Sequence, residues 1–374
     1  MKNPLLAAAL ISGAVALAGG SPVLAAPNSV DGPGHDPQCF APWNEDIGFF
    51  QWDKREGPYK LAVVNGFVGN TWRIQMIQTA KAYVEQPEIA AQIEEFKAVS
   101  TGTDVAAQLG AIEDFINQGF DAIVTIAVSP EGFDRVIRLA DRNDVVVVPF
   151  DNVLDTDKVM QVNKDQHEMG RMYARWLIEQ LGDQTEGKIL EVRGLQGNSV
   201  DRDRHNGFRE LMEPAGNWDI VEVVGNWDDG TAQKVTADAI AVHSEFAGVV
   251  VQGGTTGTVR AMLDAGHPLV PIAGETENGY RKLLAQYGPE GLKGKSIGQS
   301  PGMVAIAIKA ALAALDGEIM PQLISVPIPS ATWDEMEAGK NYWPDLTDNF
   351  FTVNEFPPCG VNITAREIMA KDAD

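Results

Sequence analysis

Seven short stretches of this sequence gather side chains suited to holding a hydroxyl-rich molecule. They read Gly69-Asn70-Thr71-Trp72-Arg73, Phe150-Asp151-Asn152, Gln196-Gly197-Asn198 through Arg204, Asn226-Trp227-Asp228, Gln252-Gly253-Gly254, Gly274-Glu275-Thr276 and Gln299-Ser300-Pro301. Amides and carboxylates pair with neighbouring hydroxyls, a guanidinium offers a rigid fork of donors, and an indole covers a C–H face. Covalent chemistry finds less support. The five histidines, His35, His167, His205, His243 and His267, form no His-x-x-x-His pair, which removes the zinc-protease reading. No metal-ligand spacing and no Gly-x-x-x-x-Gly-Lys-Ser/Thr phosphate loop occurs. Gly253-Gly254-Thr255-Thr256-Gly257 lacks the dinucleotide-binding spacing and reads as a tight strand-to-helix turn.

Each polar residue singled out also has a purely structural reading. Asn70 is either a ligand amide or the cap of a helix starting at Thr71. Trp72 is either a stacking face or core. Arg204, within Asp201-Arg202-Asp203-Arg204, is either a ligand fork or half of a surface pair. Asp151 either binds or turns the chain after a buried strand. Asp228-Asp229 is either a hydrolytic carboxylate pair or capping charge before a helix.

The elements that must position these stretches follow a repeated rhythm. Strands are predicted at 60–64, 96–99, 121–126 and 145–148, with helices at 71–85, 103–117 and 131–141 between them. The rhythm then resumes. Helices at 166–181, 201–212, 231–242, 256–263, 278–285 and 303–315 alternate with strands at 188–192, 220–224, 248–251, 269–273 and 295–298. Short continuous apolar strands alternating with helices specify parallel sheets covered on both faces. In such sheets ligands sit outside the carboxyl ends of the strands, where the seven stretches fall. So many units exceed one open sheet and predict two α/β domains.

With 374 residues and 44% hydrophobic content, the chain can bury two cores. It carries 29 Lys+Arg against 52 Asp+Glu, a formal charge of -23, which excludes nucleic acid and anionic membrane surfaces as partners. Lys2, the apolar run Leu5 to Ala18 and Val23-Leu24-Ala25 form a secretory signal peptide, residues 1–25, too short for a membrane span. The two cysteines, Cys39 and Cys359, read as one disulfide in an exported chain.

From Tyr59 to Pro329 the sequence resembles the type I periplasmic binding proteins of the ribose-binding cluster. The resemblance is carried by Asn70-Thr71-Trp72, by Asp151 after the fourth strand, and by Gly194 to Phe208, in which Arg204 falls on the ligand-gripping arginine. Trp227 falls on the second-domain aromatic and Gln299 on the hinge-side glutamine. The chain departs from that pattern in having Gly253-Gly254 where Asn-Asp is frequent, Glu275 in the usual aspartate position, and Arg73 where another aromatic is common. These departures turn the expectation from ribose itself to a related sugar, sugar alcohol or sugar acid.

The resemblance implies two similar doubly wound lobes joined by three crossings, near Gln161, Gly298 and Ser325. Lobe 1 is expected at 58–161 plus 299–324 and lobe 2 at 162–298 plus 325–345, with terminal extensions at 26–57 and 346–374. It implies ligand-binding roles for Asn70, Trp72, Arg73, Asp151, Asn152, Arg204, Trp227, Glu275 and Gln299. It further implies a monomeric periplasmic protein that serves the permease of an ABC importer, with no cofactor, metal or catalytic residue. An exported carbohydrate hydrolase using Glu275 and Asp151, or a binding protein serving a chemoreceptor, are the alternatives.

Overall fold

The computed structural model describes residues 27–298 and 300–373, so the expected signal peptide and the expected ligand residue Gln299 lie outside the described residues. Two sheets organise the chain. In the first, four parallel strands lie in the order Ile93–Ser100, Tyr59–Asn65, Ala122–Ile126, Val146–Pro149. In the second, Asn217–Val224, Glu186–Arg193, Gly248–Val251, Ile272–Gly274 and Gly294–Ile297 are parallel, and Ser330–Thr332 adds an antiparallel edge. Both sheets share one winding rule, since the earliest strand of each is second in line and the next in sequence lies outside it. Each therefore reverses direction beside its earliest strand, which opens a crevice at that strand's carboxyl end.

The strands are apolar on both faces because each face is covered. Along Tyr59–Asn65, Leu61 and Val63 join a core shared with the helices Thr71–Val84 and Met303–Leu315. Ala62 and Val64 face the helices Val105–Asn117 and Asp134–Arg142. In the second sheet, Leu190, Val192, Val249 and Val251 face one core, while Ile189 and Val250 face another built on the helices Gln166–Leu181 and Ser199–Met212.

Three elements fall where the sequence places them: Gln166–Leu181, Gly248–Val251 and Met303–Leu315. Others shift for local reasons. The edge strand Ile93–Ser100 starts three residues before the expected Phe96, because Glu94 and Glu95 interrupt the apolar run while Ile93 and Glu95 still pair with Tyr59 and Lys60 around an irregularity at Glu94. The strand expected at 269–273 is Ile272–Gly274, since Pro271 has no N–H to give the ladder. Residues 27–57, within the expected N-terminal extension, contribute Asn28–Val30 and Phe49–Gln51 to a three-stranded antiparallel sheet with Met320–Pro321.

The helix Met303–Leu315 packs on the first sheet, and the strand Ser330–Thr332 belongs to the second. The chain thus passes between the sheets at 149–166, 297–303 and 315–330. Gln161–Asn163 and Leu323–Ser325 pair in parallel at two of these passages. Beside them the N-terminal segment docks through Trp43 N–H to Leu323 O at 3.0 Å and Ser325 N–H to Ala41 O at 2.8 Å. Cys39 and Cys359 are bonded to each other, with Cα atoms 4.5 Å apart.

Candidate functional site

Strand ends from both sheets converge on one cavity of about 40 Å³, which opens in part to solvent. The first sheet brings Asn70, Trp72, Arg73, Asp151 and Asn152 to it, and the second brings Arg204, Trp227 and Glu275. Each of these was singled out in the sequence. Gln252 and Glu277 also line it, as does Phe351 from the C-terminal segment.

The capping reading of Asn70 holds, and the residue stands at the cavity as well. It caps the helix Thr71–Val84, its side chain accepting from Arg73 N–H at 2.9 Å, and it also lines the cavity. The structural reading of Arg204 does not hold. It is 3% exposed and pairs with Glu275 at 2.6 Å, while Arg202 pairs with Asp203 at the surface and Asp201 with Arg193. Asp228 is a cap, accepting from Thr231 N–H at 2.8 Å, and Asp229 accepts from Gly257 N–H. Hydrolysis by that pair has no support.

Close backbone approach sets Arg204 in place. A Cβ on Gly170 would stand 2.1 Å from Arg204 O, and one on Gly207 would stand 1.9 Å from His167 O. Only paired glycines let the helices Gln166–Leu181 and Ser199–Met212 lie this close. That contact puts Gln166 Oε1 2.9 Å from Arg204 Nε, while Arg204 Nη1 donates to Gln252 O at 2.7 Å. Trp227 is fixed by a left-handed backbone, φ 57°, and its indole lies against Gly194, where any Cβ would come within 2.1 Å of the ring. Asp151 is left-handed too, at φ 58°. Strained non-glycine residues at strand ends are tolerated where the surroundings over-determine them, and such sites are commonly functional.

The electrostatics are dense. Burial lowers the Arg73 guanidinium to about 10, with Asp151 opposing, and its Nη1 donates to Asn65 Oδ1 at 2.7 Å. Burial works against a charged Arg204 as well, but Glu275, Tyr173 and Asp151 outweigh it and raise its pKa. Glu277 is pushed up to about 8 by burial and by Asp229. Hydrogen bonds from Thr255 and Gly254 N–H pull the other way.

Lys164 and Gln166 carry no signal in the sequence beyond a polar run after a short strand. Lys164 is 1% exposed, its Nζ 3.9 Å from Asp151 Oδ1 and without a hydrogen-bond partner among the described residues. Burial, with Arg204 adding to it, holds this amine well below the usual lysine range, while Asp151 and Glu275 oppose. Gln166 Nε2 donates to Asp151 Oδ1 at 3.1 Å and so links the Asp151 loop to Arg204.

Gly298-Gln299-Ser300-Pro301-Gly302 has the Gly-x-Ser-x-Gly spacing of a nucleophile elbow between a strand and a helix. Ser300 is buried, and its hydroxyl accepts from Gly302 N–H at 2.8 Å. The histidines are engaged elsewhere: His35 with Glu318, His167 with Glu210, His205 with Glu191, His267 with Phe246 N–H, and His243 against the Phe246 ring. The spacing is therefore met without a histidine base among the described residues.

Residues 61–319 match the periplasmic binding protein domain family. The chain belongs to that family. Its members are periplasmic solute-binding proteins, and in this periplasmic binding protein no helix among the described residues is long and apolar enough to cross a membrane. It is 27% identical to the galactofuranose-binding protein YtfQ of Escherichia coli over 154 residues, covering 40% of this chain and 46% of that one. It is 24% identical to the ribose import binding protein RbsB of Bacillus subtilis over 238 residues, covering 63% and 76%. The match to the Pseudomonas aeruginosa D-ribose/D-allose-binding protein covers 54% of that relative, so the chain spans about half the length of two of these curated relatives. Among solved structures, an ABC transporter solute binding protein of Thermobispora bispora superposes with a TM-score of 0.66 at 24% identity, covering 72% of this chain and 84% of that one. This likeness establishes the type I periplasmic binding protein fold.

Proposed function

We propose that this periplasmic binding protein captures a small sugar, sugar alcohol or related polyol and delivers it to the permease of an ABC importer. The observation that carries the reading is the cavity itself. Strand ends of both sheets line it, and Trp227 Nε1, Gln252 Oε1 and Glu275 Oε2 are buried there without a hydrogen-bond partner among the described residues. Unmatched buried donors and acceptors each cost about 1–3 kcal/mol, a cost that a ligand with hydroxyls of its own removes. Trp72 and Trp227 offer faces for its C–H surface. Asn70, Arg73, Asp151, Asn152, Arg204 and Glu275 are the binding residues in this reading, and Gln299 completes the set.

Closure is the mechanism. Lobe 1 (58–161 plus 299–324) and lobe 2 (162–298 plus 325–345) each hold part of the hydrogen-bonding set, so a ligand touching both favours the closed state. The permease reads that shape. The protein acts as a monomer in the periplasm after removal of residues 1–25, does not insert in the membrane, needs no cofactor and is not an enzyme. The relatives named for galactofuranose and ribose support this substrate class.

Isothermal calorimetry against sugars, polyols and sugar acids tests the reading, with NMR of the recovered ligand. The expected result is reversible one-to-one binding of a ligand that returns unchanged. Turnover abolished by Glu275→Gln or Asp151→Asn overturns it in favour of a carbohydrate hydrolase.

A further inference from the structure

The family match ends at residue 319, yet the chain beyond it supplies one more face of the cavity. Phe351 is 6% exposed and lines the cavity together with Glu277. Its backbone is held from both sheets. On the second-sheet side, Asn278 N–H donates to Phe350 O at 2.7 Å, Gly279 N–H to Asp348 O at 2.8 Å, and Thr352 N–H to Thr276 O at 3.0 Å. The Asn278 side chain also donates to the carbonyls of Trp343, Leu346 and Thr347.

On the first-sheet side a single glutamine takes both main-chain groups of Phe351. Gln75, in the helix Thr71–Val84, accepts from Phe351 N–H at 2.8 Å and donates to Phe351 O at 3.0 Å. It also donates to Asn354 Oδ1 at 2.9 Å. Gln75 is buried, so its amide has no water to turn to, and releasing Phe351 would strand a donor and an acceptor together. Further along, the helix Ala365–Met369 packs on the helix Thr71–Val84, and Cys359 is bonded to Cys39.

We propose that residues 343–356 are a strap that ties the second sheet to the first across the cleft, and that Phe351 is a specificity-determining wall of the ligand site. The proposal rests on the polyol reading above and adds to it what limits the polyol's size. The strap is a fourth passage between the sheets, made after the three that the winding of the sheets requires. A ring mounted on a main chain bonded from both sides cannot swing aside as a loose loop would, so the closed cavity ends where the ring stands. Opening must either carry the strap with one lobe or break the Gln75 clasp.

The test uses D-ribose and D-galactose as probes, differing by one hydroxymethyl unit, on the full mature chain, Phe351→Ala and Phe351→Leu. Calorimetry of Phe351→Ala is expected to move the ratio of the two affinities at least tenfold toward D-galactose, with Phe351→Leu in between. An equal change for both sugars, or none, overturns the wall. A wild-type chain that binds neither sugar counts against the choice of ligand class, and the strap is then read without sugar. Hydrogen exchange of the Asn278 and Gly279 amides, which donate to Phe350 O and Asp348 O of the strap, is expected to quicken at least tenfold in Gln75→Leu, which removes the clasp. Unchanged exchange there overturns the strap whatever binds.

Discussion

The cleft and the outer edge of the second sheet each hold a knot of charge, and they differ in how completely it is matched. At the edge, Glu191 receives His205 at 2.8 Å and Arg209 at 3.0 Å. Glu222 receives Arg193 at 3.0 Å and also Arg209, and Asp201 takes Arg193 at 2.6 Å and Gly194 N–H at 3.0 Å. Glu191, His205 and Glu222 lie close enough to hold a metal ion, but the two arginines already neutralise the carboxylates. In the cleft, Trp227 Nε1, Gln252 Oε1 and Glu275 Oε2 have no hydrogen-bond partner among the described residues, and Lys164 Nζ, 3.9 Å from Asp151 Oδ1, has none either. A buried polar atom left unmatched in a folded chain calls for an explanation, and a ligand is the one proposed for those of the cleft. In that reading the saturated edge is scaffold and the deficient cleft is the site, although one run, Asp201-Arg202-Asp203-Arg204, feeds both regions.

The strongest way to break this contrast is Arg204→Met. Removing the fork should weaken binding of the preferred polyol by about 2–5 kcal/mol, as for other buried charged hydrogen bonds. Calorimetry returning an affinity within threefold of wild type would erase the distinction. The matching change at the edge is Arg209→Met, which leaves Glu191 with His205 alone. Urea unfolding should show about 2–3 kcal/mol less stability, below the figure for a fully buried pair because Arg209 is partly exposed. Affinity should stay as it was; a loss there would mean that the edge belongs to the site.

Smaller effects sharpen the contrast. Trp227→Ala should cost about 1–3 kcal/mol of affinity, in keeping with the removal of a large aromatic face. Ligand addition should change tryptophan fluorescence less in this variant than in wild type, and an equal change would exclude Trp227 from the ligand. The smallest is a pH effect at Glu277, whose folded pKa of about 8 stands above its ordinary 4.5. Between those values the folded chain keeps a proton that the unfolded chain has lost. The contribution of Glu277 to stability is therefore fully present below 4.5 and is lost as pH rises to about 8. The slope is at most about 1.4 kcal/mol per pH unit. Urea melts across that window should fall less steeply for Glu277→Gln than for wild type; parallel curves would show that Glu277 does not hold the proton.

What was legible in the sequence follows from how local each cause is. Helix Gln166–Leu181 is announced by its cap Asp165 and closed by Gly182, and the strand Gly248–Val251 by an unbroken apolar run. The strands Asn28–Val30, Phe49–Gln51 and Met320–Pro321 are too short to show a period, and their pairing is set by distant partners. The cavity divides in the same way. Strand ends of a parallel sheet have a known place, so Asn70, Asp151, Arg204, Trp227 and Glu275 could be collected without a structure. Lys164 and Gln166 reach Asp151 and Arg204 from a passage between the sheets, and Phe351 comes from the tail. Only tertiary packing brings these to the same place.

The bond between Cys39 and Cys359 spans 320 positions and joins the only two cysteines in the chain. As the polypeptide is made, the first thiol has no cysteine partner within the molecule until Cys359, 320 positions on, has been added. An intact bridge thus certifies that synthesis has passed Phe351 and the clasp residue Asn354. The oxidised molecule is a loop of that length, compact even when unfolded, and should outrun its reduced form on a denaturing gel. Gel mobility alone then separates finished molecules from those cut short or clipped before the last wall of the cavity.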